Sequence, residues 1–460
     1  MAKLREVVEN IIAELKKLQN SARPPVDPDD DFPILRMIPA GDGRHIASSK
    51  KIDQLIDSVA KKLPKHDGNL ATRFSQKELD TTVRNGFGAA LSQIDLNDDL
   101  PGNAETVLTS VRNLLSARIS SAGFKEYCFG CTLFGNADVA PFEIGPVRFE
   151  LRADWLERKS SDGAISKVTR RRIARAWEGQ KLSERKSSFD SIQERETLDA
   201  FDACLYVCSV STDGFASEAG KERALTVARL AMTAIALLWP TPSRTLGGFN
   251  LSFDRKVHHQ IALAFSPKKL ILAGRKISHL PHGPSLKAGE WEQLFEMHAS
   301  HFDVSSEMLE YVVSPAGEVA RPKLMNALTQ SFLWFHEACR EMVTLMGVVK
   351  FAASMEALAP GKKESGIRSV INARLGIQDD AKVFSDGSTM KQVIGEIYGY
   401  GRSRTMHGTN ERLGYDWSVT RGRAEEFASL CLLGCIDHAS KDRTNDDPTQ
   451  FADRELGRSM

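Results

Sequence analysis

The chain has no long hydrophobic run. Its most apolar stretch, residues 230–239, is bounded by Arg229 and Pro240. A membrane-crossing helix needs ~20 apolar residues, so this segment is too short to span a bilayer. Residues 1–18 carry Lys and Glu throughout and lack the apolar centre of a secretory signal, so a soluble, cytoplasmic protein without membrane contact is expected. Net charge is equally scarce. Lys+Arg number 61 against 60 Asp+Glu, so bulk charge favours no polyanionic partner and any basic surface must be local. Cysteines number seven, at 128, 131, 204, 208, 339, 431 and 435, mostly in apolar surroundings. Sparse and odd, they read as reduced, buried thiols rather than a disulfide framework. No glycine-rich phosphate loop and no nucleotide-binding fingerprint occurs, and no paired carboxylates or Ser/His/Asp set shows an informative local spacing.

What is present is an ordinary globular composition over a length that calls for more than one core. In residues 3–19, Leu4, Val7, Val8, Ile11, Ile12, Leu15 and Leu18 recur at helical spacing up to a Pro-rich stretch at 22–33. Shorter helical patterns follow at 50–62, 76–94 and 103–118, the last with Asn103 as its expected N-cap. Strand patterns at 128–134 and 142–151 are followed by another at 203–210, a long buried helix at 217–239, and further strands at 245–253 and 259–273. From 287 the strands stop. Helices are expected at 289–299, 304–313, 321–340, 342–358, 364–375, 388–398 and 420–438, with Pro322 opening one of them. The fold class is therefore α+β: a mixed α/β N-terminal region followed by an all-α bundle. The expected division is a helical segment with linker at 1–120, an α/β domain of unread role at 121–286, the helical domain at 287–440, and a flexible polar tail at 441–460.

Residues 152–186 hold 11 Lys/Arg against 5 Asp/Glu, a local excess of six. Arg171, Arg172 and Arg175, beside Trp177, form a candidate RNA contact. A solvated helix face is the alternative, and the preferred one. Cys128 and Cys131 have the spacing of half a zinc site, but no second pair supplies the other two ligands, so no metal or cofactor is expected. His258 and His259 are adjacent on a strand pattern and would point to opposite faces, which disfavours joint metal binding.

Arg402 and His407 carry the chemical signal. RNA cleavage needs a base for the 2′-hydroxyl proton and a cation for the charge gathering on phosphorus. Imidazole titrates near neutral pH and guanidinium binds phosphate in a two-pronged way. On an ideal α-helix, residues five apart diverge by ~140°. The two side chains then need a helix break near Gly401, or a second protomer, to share a site. Spacing alone is at chance level; context adds to it. Ala327-Leu328 with Trp334-Phe335, then residues 351–358 (FAASMEAL), then residues 398–408 (YGYGRSRTMHG) occur in order. Together they resemble the first helix, the "ALEAL" helix end and the "YxxRSxxxHG" signature of the Apea-like group of the HEPN superfamily. One additional residue separates Tyr398 from Arg402.

The resemblance covers residues 321–438, about a quarter of the chain. It implies a helical bundle that dimerises, so that two Arg/His pairs form one metal-independent endoribonuclease site. Arg402 would stabilise the phosphate and His407 would act as base or acid. Arg404 is a further candidate for RNA binding, and Glu356 matches a family position, with a structural role, capping or orienting helices of the bundle, preferred. Such proteins recur in prokaryotic toxin–antitoxin, antiviral defence and abortive-infection systems, which would add a regulatory protein or phage trigger as partner. The rival reading is a bundle of this type that binds RNA or nucleotide without cutting.

Overall fold

The computed structural model describes residues 2–21, 36–136, 139–201, 204–254, 258–260, 264–267, 269–272, 275–277, 282–314 and 319–453. The Pro-rich stretch at 22–33 lies outside them. The protein is α+β with an all-helical C-terminal region, and its contacts define two compact units. Unit 1 comprises Met1–Lys125, Thr212–Ala224 and Ser314–Gly317; unit 2 comprises Glu126–Ser211, Leu225–Val313 and Glu318–Met460. The contacts thus group residues 126–211 and 225–313 with the C-terminal helices, a different partition from the expected break at 286.

Unit 1 contains α1 (Ala2–Gln19), the hairpin β1 (Arg36–Pro39) and β2 (His45–Ser48), α2 (Lys50–His66), α3 (Gly68–Arg73), α4 (Gln76–Leu91) and α5 (Leu100–Ala122). Leu4, Val8, Ile11, Ile12 and Leu15 of α1 are fully buried against α2 and α5. Each such side chain contributes about 1.5–3 kcal/mol of burial. Local chemistry sets the helix starts. Ser75 and Glu78 form a capping box on α4, and Ser49 caps α2. The cap of α5 is Asp99, whose carboxylate accepts from Gly102 N–H, not Asn103. Pro101 behind that cap starts the helix three residues earlier than expected, and Asn103 instead donates to the Asp95 carbonyl.

Unit 2 opens on a five-stranded sheet of order β4-β5-β6-β3-β7, built from β3 (Phe124–Thr132), β4 (Phe142–Ile144), β5 (Val147–Leu151), β6 (Tyr206–Asp213) and β7 (Asn250–Leu251). Strand β5 runs antiparallel to β6 with Phe149 opposite Cys208. Between β5 and β6 lie α6 (Arg152–Ser161), α7 (Lys167–Trp177) and α8 (Phe189–Phe201). Then α9 (Ser217–Ala236) and α10 (Pro242–Leu246) precede β7. The expected strand at 245–253 is thereby shortened to two residues, because Pro242 starts a helical turn that runs to Gly247. Two small antiparallel pairs follow, β8 (His258–Gln260) with β11 (Arg275–Ile277), and β9 (Ala264–Ser266) with β10 (Lys269–Leu272).

The helical region comprises α11 (Glu290–Met297), α12 (Ala299–Val313), α13 (Pro322–Arg340), α14 (Thr344–Ala357), α15 (Lys363–Leu375), α16 (Met390–Ile394) and α17 (Ser418–Lys441). Helix α14 is central, packing on α13 and α17, and α16 continues as a π-helix over Gly395–Arg404 that also lies on α14. Residues 441–453 correct the expectation of a flexible tail. Phe451 is fully buried in a 3₁₀ turn, and the Asp446 carboxylate accepts from the N–H groups of Lys323 and Leu324, capping α13 from outside. Arg321 is 1% exposed and donates to Glu307, Ala439 and Asp442, fastening the start of α13 to the end of α17. Residues 454–460 lie outside the described residues. No described helix is long and apolar enough to cross a membrane.

Candidate active site

Tyr398 and Arg402 both lie in the π-helix Gly395–Arg404. Four apart within it, they share one side of it and both reach Glu356. That side faces α14. Gly401 makes the approach possible, since a β-carbon there would lie 2.5 Å from Val348 Cγ1. Gly408, at φ +70°, takes the left-handed conformation where the helix stops.

Arg402 is held from two directions. Its Nη2 lies 2.7 Å from Glu356 Oε2 on α14, and its guanidinium lies over the Tyr398 ring at 5.4 Å from the centroid. The Tyr398 hydroxyl donates to the other Glu356 oxygen at 3.1 Å. Glu356 is thus the shared anchor of the arginine and the tyrosine. Burial, and then the Glu356 carboxylate, push the Tyr398 hydroxyl above the usual phenol range. It therefore stays a hydrogen-bond donor throughout the neutral range.

This cluster forms one wall of an open groove of about 560 Å³ between α13 and α14. Lys323, Asn326, Gln330 and Trp334 line it from one face of α13, and Glu356 and Arg402 from the opposite side. Trp334 is 45% exposed, a large apolar surface beside the anchored guanidinium. Cation, amide donors and an aromatic face in one groove can hold a phosphate and a flat ring together.

His407 stands elsewhere. It is exposed at the end of the helix that carries Arg402, its backbone N–H donates to Ser403 O at 3.1 Å, and it does not line the groove. Among the described residues no hydrogen bond joins His407 to Arg402. One copy of the chain therefore presents the arginine in the groove and the histidine at the rim of the helix end. Arg404 is exposed and lies over the Tyr400 ring at 4.1 Å.

The basic segment divides on inspection. Arg171 and Arg175 are exposed on one face of α7, whereas Arg172 makes a two-pronged ion pair with Glu194 and donates to the Ser183 carbonyl. Arg172 is thereby withdrawn from the candidate RNA contact, because a phosphate would have to displace a carboxylate already in place. Arg158, Lys159, Arg170 and Arg185 are likewise ion-paired, so much of the local excess of charge is answered internally. No hydrogen bond or ion pair joins the α7 arginines to Arg402 among the described residues.

Cys131 is fully buried and Cys128 half-buried beside Trp155 and Ser209, and burial pushes both thiols up. Among the described residues no three His, Cys, Asp or Glu side chains gather closely enough to hold a metal ion. The side chains of His258 and His259 lie outside the described part. Sequence reasoning reached Glu356 without its partners Arg402 and Tyr398. The only advance signal for Glu356 was its place in the helix-end motif. The chain matches no protein-family model, no curated protein and no solved structure at a significant level.

Proposed function

We propose that this chain is an endoribonuclease of the HEPN type, working without a metal ion. In this reading the 2′-hydroxyl of RNA attacks the adjacent phosphorus and a base takes its proton. The P–O5′ bond breaks and an acid returns a proton to the leaving oxygen, giving 2′,3′-cyclic phosphate and 5′-hydroxyl ends. Arg402 holds the charge that gathers on the phosphate, and His407 moves a proton. The observation that carries the proposal is the anchoring of Arg402 by Glu356 and Tyr398 at an open groove of the helical region. A cation fixed before substrate arrives is what electrostatic stabilisation of a transition state requires.

Because His407 does not line its own chain's groove, the reading is of a homodimer in which the histidine of one copy serves the arginine of the other. The expected setting is prokaryotic antiviral defence or abortive infection, with a regulatory protein restraining the site or a phage-derived trigger activating it. One observation favours a second reading, an RNA- or nucleotide-binding module that does not cut: the charge of Arg402 is already partly answered by Glu356. Purified protein incubated with RNA in EDTA separates the two. The nuclease reading expects cleavage that Arg402→Ala and His407→Ala each abolish with circular dichroism unchanged. Cleavage that survives both substitutions removes these residues from the chemistry, and binding without cleavage supports the module.

A further inference from the structure

The end of the π-helix carries a second arrangement that the proposed reaction does not use. The Tyr400 ring has two guanidinium groups over it, Arg404 and Arg412, each 4.1 Å from the centroid. Both guanidinium groups are thus held against the same ring. Arg412 also lies 5.7 Å from the Tyr415 ring, which extends the column to Arg404, Tyr400, Arg412, Tyr415.

The column is built in advance rather than left to chance. Asn410, almost buried, donates to the Tyr400 carbonyl at 3.2 Å and to Thr405 Oγ1 at 2.8 Å, and accepts from Arg412 N–H at 2.8 Å. Buried Trp417 donates to the Arg412 carbonyl at 3.0 Å, and Tyr415 N–H donates to the same oxygen at 3.0 Å. The loop that returns Arg412 to Tyr400 is thus tied at both ends.

Among the described residues neither Arg404 nor Arg412 takes part in an ion pair, although most arginines of unit 2 do. Two like charges held on one ring repel, and an anion placed against both relieves that repulsion. A guanidinium lying on a ring keeps its N–H edge turned outward, the edge that grips a phosphate. Tyr415 is 67% exposed and leaves a face open for one more flat ring. Phosphate grip plus an open stacking face is the chemistry that recognises an unpaired nucleotide in a strand. A paired base offers no free face.

We propose that the Arg404–Tyr400–Arg412–Tyr415 column is a substrate-selecting subsite that takes an unpaired nucleotide of the bound strand and restricts the protein to single-stranded RNA. This rests on the reading that RNA is the substrate.

The test uses the full chain carrying His407→Ala, so that nothing is cut, with fluorescence anisotropy of a short labelled single-stranded RNA. The same strand in a duplex and ATP as competitor are the other probes. Tyr415→Ala is expected to weaken single-strand binding at least about fivefold and Tyr415→Phe to preserve it. Arg404→Gln with Arg412→Gln is expected to lower the slope of log affinity against log salt by about 1.4, from ~0.7 per phosphate contact on a single strand. Equal affinity for duplex, displacement of the RNA by low ATP, or Tyr415→Ala binding like its parent each overturn the subsite. The two proposals fail separately. Single-strand binding through the column by a chain that never cuts RNA removes the nuclease and keeps the subsite, whereas cutting with unchanged binding in Tyr415→Ala does the reverse.

Discussion

Unit 2 is expected to lose stability in mild acid through two buried histidines. His336 on α13 meets Thr233 Oγ1 on α9 at 2.9 Å, and His301 on α12 meets the Ala234 carbonyl at 2.9 Å. The Thr233 hydroxyl already donates to Arg229 O, so it accepts from His336 Nδ1–H. Burial pushes His301 down to about 4 and, helped by nearby Arg340 and Arg229, His336 down to about 3. His301 Nδ1 is buried with no hydrogen-bond partner, so a proton placed there would find no acceptor. In the unfolded chain both imidazoles take up protons below pH ~6.5. Between that pH and the folded values the unfolded state binds more protons, so stability falls as pH falls. With two protons, ~1.36 kcal/mol per pH unit each and half-protonation of the unfolded imidazoles at pH ~6.5, about 4 kcal/mol is lost between pH ~7.5 and ~5. Carboxylates act lower. Burial would raise Glu126, but hydrogen bonds from Arg158 and Lys159 outweigh it and hold it at about 2, so its contribution is lost only below the unfolded value of 4.5. Urea unfolding at pH ~7.5 and ~5 reads the difference. The parent is expected to lose several kcal/mol and His301→Gln/His336→Gln to respond much less. A double variant that loses as much as the parent refutes it.

Other expectations are more local. Arg321→Met leaves Glu307 and two carbonyls without their shared donor and should cost about 3–5 kcal/mol in urea unfolding, with faster proteolysis at residues 442–453. Glu356→Gln loosens a pair that is only partly buried, so its stability cost should stay near ~1 kcal/mol, yet misplacing Arg402 should lower RNA cleavage by ~10²-fold. Gly→Ala within a helix normally gains up to ~1 kcal/mol, and Gly422→Ala at an exposed position of α17, where a β-carbon meets nothing within 4 Å, should show that gain as a higher melting temperature. Gly88→Ala should do the opposite, because a β-carbon there would sit 1.9 Å from the Pro39 carbonyl oxygen.

Periodicity made the C-terminal helices legible. Leu324, Leu328, Phe335 and Cys339 of α13, and Phe427, Cys431 and Cys435 of α17, are buried where their spacing places them, and the α+β class follows from the same patterns. What stayed hidden depends on partners distant in the chain. Asp446 capping α13 and Arg172 on Glu194 are contacts across 22 residues or more, which local pattern does not encode. The start of α5 was misplaced because Asp99-Leu100-Pro101 outcompetes Asn103 as a cap. The π-helix that brings Gly401 against Val348 and Arg402 to Glu356 was not legible in the sequence, because it depends on the packing of α14. The column around Tyr400 was invisible because Arg412 reaches it through a loop held by Asn410 and Trp417.

The central claim is that Arg402 and His407 cleave RNA, and the most direct measurement is the chemistry of the ends produced in EDTA. Fragments made by the parent chain should carry 2′,3′-cyclic phosphate and 5′-hydroxyl ends, read by end-specific ligation and sequencing, and should be absent with Arg402→Ala or His407→Ala. Fragments ending in 5′-phosphate, or cyclic-phosphate ends made equally well by both variants, would contradict the account.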